Sequence, residues 1–253
     1  FCLMIAMSFD VFAVTDVSKE QGPKTSVKSA VAEKDGKTVI RIKKPKSGAV
    51  YYKASGAGEK VAYSFVSYNT WPTYFTGPGF GIKKKGADKY YLYKFFGVIP
   101  DGKPVTYSGS VNAKKLSIGT YVFSVTNYAY KYIYEEVEDL NEVEPVEMGN
   151  EPTAKLTFKV RKLKAPKGLS VKAGKKKVTV TFKKATGAKK YEIYKSKKKN
   201  SGYKKIKTTA KRKFVDKKVK TGKKYYYKVR SVRTGKGIVK SGFGSKKRTK
   251  RVK

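Results

Sequence analysis

The sequence predicts an all-β chain folded as two β-sandwiches in tandem. Three observations predict it. Short runs rich in Val, Ile, Thr, Tyr and Phe alternate apolar and polar residues, with Gly, Asn or Pro between them, as half-buried strands and their turns do. The 3.6-residue periodicity of amphipathic helices is nearly absent. The 253 residues are enough for two domains with sizeable cores, and the charge balance changes sharply partway along them.

The charge change sets the division. Residues 165–253 hold 35 Lys+Arg and only two acids, Glu192 and Asp216, whereas residues 1–164 hold 25 basic and 16 acidic residues. The change falls at KLKAPKG, Lys162 to Gly168, where Pro166 and Gly168 make a linker-like break. Upstream, FCLMIAMSFDVFAV is almost wholly apolar and reads as the tail of a secretory signal, with Val11 and Ala13 at the spacing that directs cleavage after Ala13. The expected organisation is a partial signal over 1–13, a flexible segment over 14–36, one sandwich over 37–162 and a second over 165–253. The acidic run EEVEDLNEVEPVEMGNE, 135–151, reads as a solvated insertion in the first sandwich. No segment after residue 14 has the ~18 consecutive apolar residues that a membrane-spanning helix needs. The expected location is secreted, in the extracellular space or at the cell surface.

In the first half, strands are expected at 38–42, 60–67, 90–96, 105–111 and 116–128, and Leu156, Phe158 and Val160 mark a further, last strand after the acidic run. Gly119 precedes Tyr121, and Tyr121, Phe123 and Val125 share a face. From Tyr63 to Phe80 inclusive there are seven aromatic residues, with Trp71-Pro72 and Gly77-Pro78-Gly79 expected to force a loop. Tyr68, Trp71 and Tyr74 on such a loop are candidate carbohydrate-stacking residues, set against the plainer role of core packing. PGFGIKKKG reads as a turn; it lacks the Gly-Lys-Ser/Thr ending and the helix of a phosphate loop.

In the second half, KVTVTFK over 177–183 turns Val178, Val180 and Phe182 one way and its Lys and Thr residues the other. YEIYKS over 191–196 and YKKIKTT from Tyr203 form a hairpin through the polar turn KKKNSG. FVD, 214–216, and VKTGKKYYYKVRSV, 219–232, follow. This order resembles strands B, C, C′, E and F of a fibronectin type III domain, in the lysine-rich form found in secreted bacterial proteins. Its most specific element is Val219, Thr221-Gly222 and Tyr225, similar to that family's tyrosine corner, in which the Tyr bonds back to the chain just upstream. Phe182 stands where the family usually has Trp, and Thr221 where it often has Pro. The Gly119-x-Tyr121 pattern makes the first half generically similar, so the expected fold is two immunoglobulin-like β-sandwiches in tandem.

Composition excludes much chemistry. With no His and a single Cys2, the chain has no Ser-His-Asp triad, no Cys-His pair, no imidazole metal ligand and no intramolecular disulfide. Glu135, Glu136, Glu138 and Asp139 could supply a carboxylate pair, but nothing in the pattern fixes them in a pocket, and the run lacks calcium-loop spacing. The expectation is a protein without enzymatic activity, cofactor or metal.

Lysine outnumbers arginine 53 to 7, so any polyanion binding would rest on hydrated point charges rather than guanidinium forks. Candidate patches are Lys175, Lys176 and Lys177; Lys197, Lys198 and Lys199; Lys211, Arg212 and Lys213; and the final KKRTKRVK. Outward lysines are also what any soluble sheet carries. The resemblance implies a spacer or protein-interaction module whose partners are other extracellular proteins or cell-wall and glycan polymers. The alternative is a module that binds carbohydrate or an anionic polymer such as teichoic acid or an acidic glycan. No base-reading nucleic-acid motif occurs.

Overall fold

The computed structural model describes residues 31–34, 37–68, 75–96, 104–132, 145–147 and 152–253. The first sandwich is built from β1 (Val31–Lys34), β2 (Lys37–Lys44), β3 (Ala49–Ala54), β4 (Ala57–Gly58), β5 (Lys60–Ser67), β6 (Phe75–Lys84), β7 (Tyr90–Phe95), β8 (Val105–Asn112), β9 (Gly119–Tyr132), β10 (Pro145–Glu147) and β11 (Thr153–Lys162). One sheet runs β1-β2-β5-β8 and the facing sheet β4-β3-β11-β9-β6-β7, with β10 beside β9. All pairings are antiparallel except β3 with β11, which is parallel. The second sandwich comprises β12 (Ser170–Gly174), β13 (Lys177–Thr181), β14 (Lys190–Ser196), β15 (Lys204–Thr209), β16 (Lys213–Asp216), β17 (Tyr226–Arg233), β18 (Val239–Lys240) and β19 (Lys247–Arg248). Its sheets run β12-β13-β16 and β15-β14-β17-β18, with β19 beside β17, which is the A-B-E against C′-C-F-G arrangement of an immunoglobulin-like sandwich.

Period-two alternation accounts for both cores. In β9 and β11 the inward residues Tyr121, Phe123, Val125, Leu156, Phe158 and Val160 meet Val61, Tyr63 and Phe65 of β5 across the sandwich. Phe65, Phe80 and Phe123 lie 5.7–6.4 Å apart, the spacing of tilted aromatic packing. In the second sandwich Val178, Val180, Phe182, Tyr191, Ile193, Tyr225, Tyr227 and Val229 close the core. Phe182, in the usual Trp position of the resembled family, meets Tyr191 edge-on at 4.7 Å.

The tyrosine corner forms as its residues imply: the Tyr225 hydroxyl accepts the Lys220 N–H at 3.0 Å. The first sandwich has a counterpart of reversed polarity, in which the Tyr121 hydroxyl donates to the Ser117 carbonyl at 3.1 Å. Each pins the chain where it enters the longest strand of its C-side sheet, β9 or β17.

Two expectations change. Gly77-Pro78-Gly79 forms no loop; it lies in β6, between β9 and β7, as does PGFGIKK, and only Lys85 and Gly86 at the end of PGFGIKKKG make a turn, the one that leads to β7. Pro78 is tolerated there because its polar backbone edge faces away from β9, and its carbonyl accepts the Phe96 N–H at 3.0 Å at the end of β7. The expected flexible segment 14–36 also loses its last part, since β1 pairs with β2 from Val31↔Arg41 to Lys34↔Lys37. The expected signal, 1–13, and most of the acidic run lie outside the described residues; of that run only β10 is placed, pairing with β9 through Val146↔Lys131.

Truncating Phe182 to Ala removes a buried ring whose nearest aromatic partner is fixed, so Phe182→Ala is expected to destabilise the second sandwich by about 3–5 kcal/mol. Denaturant melts measure it, and a loss under about 1 kcal/mol would place Phe182 outside the core.

Candidate functional site

Three surfaces combine chemistry with fixed geometry: the seam between the sandwiches, the outer face of the β15-β14-β17-β18 sheet, and the edge strand β7.

The seam starts from a carboxylate that the fold buries. Glu59, between β4 and β5, is only 1% exposed. Its Oε2 accepts the Tyr52 N–H at 2.9 Å and its Oε1 accepts Nε–H of Arg233, from the second sandwich, at 2.8 Å. Arg233 also donates from Nη1 to the Gly187 carbonyl at 2.9 Å, and its guanidinium sits 4.5 Å from the Tyr52 ring centroid. A buried carboxylate needs this degree of satisfaction, since breaking one partner leaves an uncompensated charge. Around the pair, Tyr52, Ala54, Leu163 and Val239 form a small apolar cluster, Lys236 caps the Tyr51 ring at 4.2 Å, and the Lys60 N–H donates to the Lys236 carbonyl at 2.7 Å. Gly187, at φ +83, leaves space that the Tyr52 ring fills, so a side chain there would collide with it. The stretch expected as a linker contributes Leu163, which is buried in this cluster and bonds through its N–H to the Lys53 carbonyl at 2.8 Å.

The second surface is organised by Glu192, which is 4% exposed although it points to the outer face of its sheet. Its Oε2 accepts from Arg230 Nε at 2.7 Å and from the Tyr194 hydroxyl at 3.0 Å; its Oε1 lies 3.1 Å from Lys240 Nζ and 3.7 Å from Lys205 Nζ. Burial pushes this carboxyl upward, but the bonds from Arg230, Lys240 and Tyr194 and the Arg230 charge outweigh it and hold the carboxyl down at about 2. Next to it, Lys228 Nζ lies between two rings, 4.2 Å from Tyr203 and 3.9 Å from Phe243. Asp216, the other acid of this domain, is equally enclosed: Lys195 Nζ and the Tyr227 hydroxyl reach its Oδ2 at 2.8 Å, and the Lys218 N–H its Oδ1 at 2.9 Å. Burial, followed by that bond to Asp216, raises the Tyr227 phenol above its ordinary range.

The third surface is β7, where Tyr90, Tyr91, Tyr93 and Phe95 are 38–46% exposed. The neighbouring β6 presents Gly79 and Gly81 opposite Phe95 and Tyr93, and the Tyr90 ring occupies the space a Gly81 side chain would need. The Tyr90 ring is therefore laid against bare backbone at a sheet edge.

The candidate residues from sequence fall elsewhere. Lys175 and Lys176 lie in the exposed β12–β13 turn with Lys177 opening β13, Lys197, Lys198 and Lys199 lie between β14 and β15, and Lys211 and Arg212 lie in the β15–β16 turn with Lys213 opening β16. In the ladder of β13 with β16, Val178 pairs with Asp216 and Thr181 with Lys213, so the Lys175–Lys177 and Lys211–Lys213 groups sit at opposite ends of that sheet. Trp71 and Tyr74 lie outside the described residues; Tyr68 is half-buried and its carbonyl accepts from Asn127 Nδ2 at 3.2 Å. Among the described residues no group of three or more His, Cys, Asp or Glu is arranged to hold a metal ion, and no helix is long and apolar enough to cross a membrane. Because the folded-state value of Glu192 is depressed, its ionisation stabilises the fold above about pH 4.5, and that contribution is lost as pH falls towards about 2. Glu192→Gln is expected to flatten stability over this window; an unchanged slope in pH-dependent melts would remove the assignment.

No family model and no curated protein matches the chain. Among solved structures it is similar to an Fn3-like protein from Clostridium thermocellum, at 29% identity over 36% of this chain and 95% of that one, with a TM-score of 0.33. It is also similar to a two-domain fibronectin type III segment from chicken tenascin, at 11% identity over 86% of this chain and 98% of that one, TM-score 0.33. A third similar structure is domains A168–A170 of titin, at 11% identity over 83% and 65% of the two chains, TM-score 0.37.

Proposed function

We propose that the protein is a secreted, non-enzymatic module of bacterial origin that holds interaction surfaces at a set distance and orientation from one another at the cell surface or in the extracellular space. The seam carries this reading. A flexible tether needs only a polar linker, whereas here a buried Glu59–Arg233 pair, a backbone hydrogen bond from Lys60 to Lys236 and a shared apolar cluster join the sandwiches. Those features constrain relative orientation, and orientation is what a spacer supplies. The predominance of outward lysine suits a module working among anionic polymers. In weakly aligned NMR samples, residual dipolar couplings from both sandwiches are expected to fit one alignment tensor, and Arg233→Ala is expected to separate them into two. Two tensors in the unmodified protein would defeat the proposal.

A second reading, polysaccharide capture, is favoured by the aromatic residues of β7, which stand on a strand rather than on a pliable loop. It moves carbohydrate contact from Tyr68, Trp71 and Tyr74 to Tyr90, Tyr91, Tyr93 and Phe95. Tyr93→Ala combined with Phe95→Ala is expected to abolish retardation in native gels cast with neutral polysaccharide; equal migration of parent and variant in every such gel would exclude this strand.

A further inference from the structure

The outer face of the β15-β14-β17-β18 sheet carries more fixed positive charge than its own carboxylate balances. Lys205, Lys228, Arg230 and Lys240 gather on or beside it, and Lys246 lies close enough for its charge to act on Lys228. Glu192 is the one acid among them, and both of its oxygens are already engaged by Arg230, Tyr194, Lys240 and Lys205. Lys246 donates to Asn200 Oδ1, a neutral partner. Among the described residues Lys228 has no carboxylate within salt-bridge distance.

Rings hold these cations in place. Lys228 is wedged between Tyr203 and Phe243, and the Arg230 guanidinium lies 5.2 Å from the Tyr194 ring and 5.0 Å from that of Phe243. Phe243 meets Tyr194 edge-on at 4.9 Å, so the ring set is itself braced. The quadrupole of a ring attracts an ammonium without neutralising it. Most surface lysines must give up rotamer freedom when they bind, but Lys228, bracketed by two rings, has given up much of it on folding. Its ammonium is desolvated and crowded by Lys246 and Arg230, which pushes its proton affinity down and leaves an anion as the missing neighbour.

Fixed cations beside a half-exposed ring match a polymer with both anionic groups and apolar sugar faces. We propose that this face docks an acidic polysaccharide, with Lys228 and Lys246 contacting its anionic groups and Phe243 packing against a sugar ring. This differs from Lys175–Lys177 and Lys211–Lys213, which are exposed point charges at opposite ends of the sheet of β12, β13 and β16. It also goes beyond the spacer role, which would persist without it.

The test is affinity electrophoresis of the full chain in gels containing dextran sulfate, uncharged dextran or polyphosphate. Retardation that depends on Lys228 is expected with dextran sulfate alone; any retardation by uncharged dextran through β7 should be the same with and without Lys228. Lys228→Gln should weaken retardation by dextran sulfate about tenfold, the worth of one charge-assisted hydrogen bond, and Lys228→Arg should largely restore it. Replacing Lys211, Arg212 and Lys213 together by Gln should change it less than about threefold, as exposed charges do. If Lys228→Gln misfolds by circular dichroism, Lys246→Gln, on a more exposed side chain, reports on the same site. Equal loss from the turn variant would show diffuse attraction and overturn the proposal. So would retardation by polyphosphate with the same Lys228 dependence, which needs charge without a sugar.

Discussion

The scarcity of negative charge is the constraint on which the second sandwich depends. Thirty-five cations share a domain with two carboxylates, and both, Glu192 and Asp216, are buried at 4% and 3% exposure. Neither is spread thinly over the surface. Glu192 draws Arg230, Lys240 and Lys205 to one face, and Asp216 ties Lys195 and the Tyr227 hydroxyl to the turn after β16. A third, Glu59, does the same between domains through Arg233. The remaining lysines are left to repel one another over roughly 8 Å at physiological salt, so the sites of rare acids become the ordered points of an otherwise loose cationic shell.

Much of the fold was legible because alternation is a short-range signal. Val178, Val180 and Phe182, or Tyr121, Phe123 and Val125, declare their inward faces without knowledge of any partner strand. The corner at Tyr225 was legible for a similar reason: Gly222 and Tyr225 lie close in sequence to the Lys220 amide that closes it. β6 was hidden because Gly and Pro are read as punctuation, and only the orientation of the Pro78 backbone towards β7 makes it compatible with a sheet interior. β3 was missed as well, since its pairing partner, β11, lies more than a hundred residues downstream.

The seam and the outer face of the second sandwich were less legible, because each is assembled from distant segments. Arg233 and Glu59 are 174 positions apart, and no local pattern announces their pairing. Lys228 looks like any outward lysine of β17 until Tyr203 and Phe243 are placed on either side of it. One clue was present in the composition: two lone acids in so basic a stretch are unexpected at random surface positions. The runs of lysine, by contrast, sit at exposed turns, where charge is dense but no carboxylate gathers it.

The parallel pairing of β3 with β11 has a mechanical meaning. These strands come from near opposite ends of the first sandwich, and they lie side by side along the same direction from Ala49↔Phe158 to Lys53↔Lys162. Tension that reached both strands from opposite ends would slide one along the other, straining several hydrogen bonds at once instead of unzipping them singly. Leu163, anchored immediately beyond β11 by its bond to Lys53, would pass that shear directly to the neighbouring domain.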